Sequence, residues 1–377
     1  MVTAAPQTLS DLAQKAIAHY LHQAIAYEQP VLADTDPENL HQMRVGLRRL
    51  RTAIQVFSVG VELPKAGREP RVAAVGRRLG QLRDLDVIEA TLRDRYAPHL
   101  PEAEQRLLDT VLSHLDRQRQ RTYKQIKKLL DGKRYTEMKQ SLAAWVSAPA
   151  EKPVAQLPAA MVVPDLVLPL VSQLWLHPAW LIGIKPGTQG GKISTRLGHA
   201  AIDGLLAEHE TCLHDLRKQV KRVRYQLSLV ASLYGDALEA DIQRLSKLQT
   251  VLGDLQDSAV LGQFITDWRP EAEAQMPTLF GQLATSRRRA WKPWQTHQQY
   301  YLKAEHRQGL RLILAQPAGS EPAAIPVAQA AKTSSSASRS KTAAKRTAKP
   351  ASTQLQPAPK SRGTQASLPP DSLDQAG

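Results

Sequence analysis

Cysteine is nearly absent from this chain of 377 residues, and aromatic side chains make up only 5% of it. Because Cys212 is the single cysteine, the chain can form neither an intramolecular disulfide nor a cysteine-rich metal site, and it suits a reducing compartment. The shortage of aromatic residues argues against a β-sandwich or barrel, whose strands are enriched in them. Apolar residues still reach 42%, which is enough to form a sizeable core.

A long unbroken apolar run is also missing. The most apolar region, 154–184, is interrupted by four prolines and an acid. These are Pro158, Pro164, Pro169, Pro178 and Asp165. A membrane helix needs roughly 20 mostly apolar residues in a row, so we expect no membrane span. The polar N-terminal segment shows no signal-peptide pattern, which predicts a cytoplasmic protein.

The sequence contains no cluster of carboxylates of the kind that holds a catalytic metal. We therefore expect no metal site, no cofactor and no catalytic residue. No segment alternates strictly between apolar and polar residues over six positions, so we predict no β-strands.

Helical periodicity is what the chain has instead. Asp36, Pro37 and Glu38 form a helix start, with an acid at the N-cap and proline in the first turn. The pattern predicts an all-α fold. The predicted helices cover 9–28, 36–58, 69–95, 102–131, 134–147, 192–209, 210–233, 237–267, 271–291 and 294–315.

A short basic motif occurs twice, 173 positions apart. Residues 41–51 read His-Gln-Met-Arg-Val-Gly-Leu-Arg-Arg-Leu-Arg, and residues 214–224 read His-Asp-Leu-Arg-Lys-Gln-Val-Lys-Arg-Val-Arg. A second motif repeats at the same offset, as Leu-Gly-Gln-Leu-Arg-Asp at 79–84 and Leu-Gly-Asp-Leu-Gln-Asp at 252–257. Two matches at one offset indicate an internal duplication, which predicts two pseudo-symmetric antiparallel helical bundles.

Each basic motif forms a two-faced helix. A helix advances about 100° per residue, so the histidine and the cations at +3, +7 and +10 share an arc of about 80°. These residues are His41, Arg44, Arg48 and Arg51 in the first copy, and His214, Arg217, Lys221 and Arg224 in the second. Apolar residues, including Leu47 and Val220, occupy the opposite face. We predict a basic groove between the bundles, with His41 and His214 on opposing walls.

The residue types on these faces favour a ligand rich in phosphate. Arginine presents a planar fork to two phosphate oxygens, and lysine presents a point charge. Asp215 is the only acid within either motif. A polyanion would also favour the protonated form of each histidine. A basic face that is merely solvated is the alternative for one such helix, and the duplication weighs against it.

Six further residues are candidates for lining the groove or orienting its side chains. They are Asp84, Asp257, Arg71, Arg244, Arg121 and Lys128. The two aspartates each lie 43 residues after the histidine of their repeat, and we predict that each orients an arginine there. Arg71 and Arg244 match at the 173 offset and extend the basic lining. Arg121 and Lys128 belong to another basic helical row, for which simple solvent exposure is the alternative.

The chain divides by composition into a helical part and a tail. We predict a domain over 1–315, with a first helical repeat at 9–148, a connector rich in proline and glycine at 149–191 and a second repeat at 192–315. From 316 to 377, Ala, Ser, Thr, Pro and Lys predominate, which predicts disorder. The tail carries a net charge of +5 of the total of +15, so the predicted domain is itself basic.

The two motif pairs together resemble the CHAD domain, the conserved histidine α-helical domain. The resemblance rests on residues 41–57, 79–87, 214–225 and 252–261 and extends over roughly 9–315. It implies an all-helical fold of two bundles with a basic surface between them. It also implies binding of inorganic polyphosphate and recruitment to polyphosphate granules.

By motif match, the resemblance assigns the polyphosphate contacts to ten basic residues and adds Tyr225 from the Arg-Tyr ending of the second motif. The ten are His41, Arg44, Arg48, Arg49, Arg51, His214, Arg217, Lys221, Arg222 and Arg224. The chain departs from an equal pair of sites where Gln256 stands in the place of Arg83. Many relatives also carry a triphosphate-tunnel (CYTH) domain with a Glu-x-Glu-x-Lys strand, and no such strand is found here.

Non-enzymatic polyphosphate binding is therefore the leading hypothesis. Nucleic-acid binding through the same surface is the alternative, and the basic tail would add nonspecific affinity of that kind. A polyphosphate-processing enzyme is a further alternative, although the acids expected for its metal are not clustered. The oligomeric state and the preferred polyphosphate length stay open.

Overall fold

Helices dominate the computed structural model, which describes residues 7–185, 192–193 and 197–318. The predicted all-α class is confirmed. The helices are α1 (Leu9–Ala26), α2 (Glu28–Ala33), α3 (Pro37–Val56), α4 (Glu69–Ala90), α5 (Glu102–Leu130), α6 (Lys133–Ser147), α7 (Ala159–Trp175), α8 (His199–Glu208), α9 (Glu210–Val230), α10 (Glu239–Trp268), α11 (Ala272–Gln275), α12 (Pro277–Leu302) and α13 (Ala304–Ala315). A short antiparallel pair, β1 (Ile184–Lys185) and β2 (Lys192–Ile193), lies between α7 and α8.

The first basic motif lies on α3, which begins where the sequence predicts. The Asp36 carboxylate accepts a hydrogen bond of 2.8 Å from the backbone N–H of Glu38, and Pro37 is the first helical residue. This cap satisfies one of the N–H groups that have no partner within the helix. The apolar face of α3 is buried, as that of α9 is, so each helix turns its basic face away from its own core.

Two helices lie beside each motif helix and hold it in place. Helix α3 packs against α1 and α4, and α9 packs against α7 and α10. Helices α3 and α9 also contact each other. Buried apolar residues from all of these helices form one continuous core, and a second cluster lies between the ends of α5, α10 and α12. The two basic faces therefore meet within one packed unit. The origin of its halves by duplication stays a prediction.

The region predicted as a connector contains a helix that the sequence reading missed. Helix α7 runs through Pro164 and Pro169, although each proline removes a backbone hydrogen bond at a cost of about 3 kcal/mol. Val163, Val167 and Val171 are buried on one face of the helix, and each such side chain stabilises the fold by about 1.5–3 kcal/mol. Burial of that face outweighs the cost of the prolines.

Helix α7 also bears on the expectation that no segment spans a membrane. Among the described residues, the segment Ala159–Leu181 is long and apolar enough for a span by length and composition, with a mean hydropathy of 1.6. A core helix can have the same length and composition; a third of this window is buried, and the buried residues of α7 repeat at helical spacing against α9 and α13.

Three further boundaries differ from the prediction. The predicted break at 291–294 is wrong, because α12 continues through Pro293 with Trp291 and Trp294 buried on either side. The helix predicted from 192 begins instead at His199, and the strand that precedes it was not predicted. Helix α2 follows α1 without having been predicted. The tail predicted from 316 lies, from residue 319 onward, outside the described residues.

A pair of substitutions on α7 tests whether it is a core helix. Leu174→Ala removes a fully buried side chain and should lower the free energy of unfolding by about 2–5 kcal/mol. Met161→Ala on the same helix removes a side chain that is 65% exposed and should change it by less than about 0.5 kcal/mol. Urea unfolding followed by circular dichroism measures both, and equal losses would show that the outer face of α7 is covered as well.

Candidate functional site

The basic faces of α3 and α9 meet at Arg48 and Tyr225. Arg48 Nη1 donates a hydrogen bond of 3.1 Å to the Tyr225 hydroxyl. The guanidinium carbon of Arg224 lies 4.4 Å from the centre of the same ring, in a cation–π contact. Burial would raise the pKa of Tyr225, but the charge and hydrogen bond of Arg48, together with Arg224, lower it overall. The first and second basic motifs are therefore joined directly.

Lys221 on α9 lies among positively charged side chains of both motif helices. Burial, followed by the charges of Arg217, Arg48 and Arg44, lowers its pKa to about 8, while Asp257 opposes them. These charges come from α9, α3 and α10, so side chains of both motifs act on one ammonium group. We call Arg44, Arg48, Arg217 and Lys221 the cation cluster. It holds four positive charges in a partly desolvated position, which raises the free energy of the charged state.

The glycine of the Leu-Gly motif makes room for an arginine of the basic motif in the same repeat. Gly80 on α4 is buried beside Arg44, and a Cβ atom at Gly80 would overlap Arg44 Nη1. The same arrangement recurs on α10, where a Cβ atom at Gly253 would lie 3.0 Å from Arg217 Nη2. Each of these two glycines therefore leaves space for a guanidinium group of the neighbouring helix.

The two arginines in these glycine sockets differ in their acidic partners. Arg217 Nη1 donates to Asp257 Oδ1 at 3.0 Å and to Gln256 Oε1 at 3.4 Å. Asp84 acts on Arg44 through charge alone among the described residues, and burial, the larger effect, lowers the pKa of Arg44. Among the described residues, only the second repeat therefore has a hydrogen bond between the arginine and the aspartate; that each aspartate orients an arginine stays a prediction.

Several guanidinium nitrogens of the site are buried without a hydrogen-bond partner in the part of the chain that the structure describes. They are Arg44 Nη1, Arg217 Nε and Arg224 Nε. A buried donor that is left unsatisfied costs about 1–3 kcal/mol, and more when it is charged. An anion reaches these buried atoms only if the arginine side chains move.

Both motif histidines lie among cations of their own repeat. Burial lowers the pKa of His41, and the charge of Arg83 is the next contribution. Burial also lowers the pKa of His214, followed by the charges of Lys218 and Arg217. In the unbound protein these surroundings favour the neutral imidazoles. Their predicted position on opposing walls of a groove stays a prediction.

The remaining motif residues face other surroundings. Arg51 forms an ion pair with Glu69 at the start of α4, so part of its charge is already balanced. Arg49 is exposed and its guanidinium carbon lies 5.9 Å from the ring centre of Tyr20. Arg222 is exposed on α9. These three residues lie on the helices as predicted, but their contacts are with groups outside the cation cluster.

The proposed extensions of the basic lining are distributed unevenly. Arg71 is half-buried on α4. Its counterpart Arg244 pairs with Asp241 at 3.3 Å and stacks on Tyr300 at 4.1 Å, which directs it toward α12. Arg121 and Lys128 are exposed on α5, which packs against α4 and α6. Neither of the last two is among the charges that act most strongly on the cluster.

The sequence reading left Arg83 out of the candidate site. Arg83 is half-buried on α4, and its charge acts on His41, Arg44 and Asp86. The signal that could have found it is its alignment with Gln256, which contacts Arg217. The first repeat therefore carries one positive charge more at this place than the second.

Two cavities of the described structure border helices of the site. A cavity of about 140 Å³ borders Tyr20, Arg49 and Tyr225. A larger one, of about 780 Å³, is mostly apolar and is lined by none of the basic motif residues; Cys212 on α9, two positions before the second basic motif, borders it. Within the described ranges, no three His, Cys, Asp or Glu side chains converge where they could hold a metal ion.

Comparison with known proteins gives matches to one family model and to solved structures. The family model of the CHAD domain matches residues 15–266. The CHAD domain from the plant Ricinus communis is similar in structure, with a TM-score of 0.55 and 23% identity over 84% of this chain and 96% of that one. PptA from Streptomyces chartreusis has a TM-score of 0.56 and 15% identity over 78% of this chain and all of that one. No curated protein matches the chain.

The two structural similarities support the fold, and the family model covers both copies of the basic motif and of the glycine motif. The chain belongs to the CHAD domain family.

Proposed function

We propose that the chain binds inorganic polyphosphate, without converting it, through the cation cluster. The observation that carries the proposal is Lys221, an ammonium group held among arginines of two helices. Such a cluster is unfavourable until a counter-charge arrives. Membership of the CHAD family supports the same ligand, and so does the resemblance of the motif pairs.

A linear polyphosphate suits the cluster better than a single small anion does. Its units each carry negative charge and two or more acceptor oxygens, and the cation cluster contributes arginines from both motif helices together with Lys221. One chain can satisfy several donors at once. A single carboxylate would reach only part of them.

We further propose that the protein is cytoplasmic and associates with polyphosphate granules. The net charge of +15 gives any polyanion some affinity for the chain. A competition experiment therefore distinguishes the two ligands. Polyphosphate should displace bound RNA from the protein at a far lower phosphate concentration than RNA needs to displace bound polyphosphate. Phosphate release in the presence of Mg²⁺ or Mn²⁺ would instead favour the enzymatic alternative.

A charge reversal inside the cluster should remove affinity that a reversal elsewhere leaves intact. Lys221→Glu should weaken binding of long-chain polyphosphate by about 10- to 100-fold, since it deletes a charge-assisted contact of about 1.5–3 kcal/mol. Lys128→Glu makes the same change of charge on the exposed face of α5 and should alter the affinity by less than about threefold. Filter binding at several salt concentrations measures both affinities. Equal losses would show that the affinity depends on the net charge of the protein and not on the cluster.

The glycine socket on α4 offers a test that separates binding from stability. Gly80→Ala should displace the Arg44 guanidinium and weaken polyphosphate binding by about 3- to 10-fold. Because the displaced group is the end of a flexible side chain, and alanine favours a helix over glycine by up to about 1 kcal/mol, stability should be unchanged or higher. Gly76→Ala on the same helix meets no atom within 4 Å and is the matched control. Calorimetric titration and urea unfolding give the two quantities, and a loss of affinity in both variants would rule out the socket.

A further inference from the structure

A small cavity opens beside the cation cluster, between α1, α3 and α9. Its volume is about 140 Å³. Two aromatic rings, one guanidinium group, two hydroxyls and one leucine surround it. The lining residues are Tyr20, Arg49, Thr52, Tyr225, Ser228 and Leu229. This lining differs from that of the cluster, because half of it is aromatic or apolar and only one member is charged.

The lining suits a planar ring with polar edges. Tyr20 and Tyr225 supply aromatic surface, and Arg49 lies 5.9 Å from the ring centre of Tyr20, where it can cover a stacked ring. The hydroxyl of Thr52 donates to the Arg48 carbonyl and that of Ser228 to the Arg224 carbonyl. Each hydroxyl therefore keeps its acceptor lone pairs for an amino group on the edge of a ring.

The cavity lies at a place where the two repeats differ. Thr52 stands 173 residues before Tyr225, so the two are counterparts in the repeated motif. A threonine on α3 leaves space that a second tyrosine would fill. The cavity is therefore a feature of this chain's own sequence at the contact of α3 and α9, and of the basic motif residues named above only Arg49 lines it.

Arg48 and Tyr225 link the cavity to the cluster. Tyr225 lines the cavity, and its hydroxyl accepts the hydrogen bond from Arg48 Nη1. Arg48 also acts on Lys221. A ligand that occupies both places must carry a planar ring next to consecutive phosphates. We propose that the cavity binds the base of a nucleoside 5′-polyphosphate whose phosphates lie on the cation cluster.

This inference rests on the proposed phosphate-binding role of the cluster, and ATP and inorganic tripolyphosphate are the probes that test it. The two ligands have the same number of phosphates, and only ATP has a base. Tyr20→Ala should lower the affinity for ATP by about 5- to 100-fold, as expected for the loss of one base–aromatic stacking contact. The affinity for tripolyphosphate should change by less than about twofold.

Two further variants make the result independent of how well Tyr20→Ala folds. Thr52→Trp places an aromatic side chain in the cavity and should give the same selective loss of ATP affinity. His22→Ala removes an exposed ring elsewhere on α1 and should affect neither ligand, whereas the ring of His19 packs on Tyr20 and would not serve as a control. Calorimetric titration without divalent cations gives all the affinities.

The outcomes distinguish this inference from the proposed function. If Tyr20→Ala and Thr52→Trp weaken both ligands equally, or neither ligand, the base site is wrong, while a loss of tripolyphosphate binding in Lys221→Glu would still support the cluster. If Lys221→Glu leaves tripolyphosphate binding unchanged, the cluster itself is wrong. Selective loss of ATP in both cavity variants, with normal binding in His22→Ala, supports the nucleoside polyphosphate.

Discussion

Repulsion among cations at the contact of α3 and α9 is the constraint on which the site depends. Burial of the apolar faces of both helices fixes where they lie, and the opposite faces, with Arg48 and Lys221, are brought together as a result. The core supplies the free energy that holds these charges in place, because many buried side chains each contribute about 1.5–3 kcal/mol. A native state that keeps these like charges close together is stabilised when an anion binds between them.

The two repeats differ in how the positive charge of the arginine beside the glycine is balanced. In the second, Arg217 is neutralised in part by Asp257 and contacts Gln256. In the first, Arg44 has no such hydrogen bond among the described residues, and Arg83 adds a further positive charge beside it. Both arginines depend on a glycine of the neighbouring helix for space. The two halves therefore share a mechanism of placement while the first presents the stronger field to a ligand.

Much of this arrangement could be predicted from the sequence because it depends on local periodicity. The helix start at Asp36 and the buried and basic faces of α3 and α9 are set by residues within a few turns of each other. Tertiary packing decided what the sequence could not reveal. Helix α7 persists through two prolines because its valines are buried, and Arg51 is partly neutralised by Glu69 from the next helix. The glycine sockets also required the partner arginine to be seen in space, since 36 residues separate Arg44 from Gly80.

The central claim, that the cluster is strained until an anion binds, is tested most directly by unfolding Lys221→Met with and without long-chain polyphosphate. The pKa of Lys221 falls from its ordinary 10.5 to about 8 in the fold, so its charge destabilises the native state below pH 8 and this penalty fades as pH rises toward 10.5. At pH 7 without ligand, Lys221→Met should be more stable than the parent chain by on the order of 1 kcal/mol or more. Polyphosphate at about 100 times the dissociation constant should stabilise the parent chain by about 2.7 kcal/mol and the variant much less. A variant that is less stable without ligand, and that gains as much from polyphosphate as the parent chain does, would contradict the account.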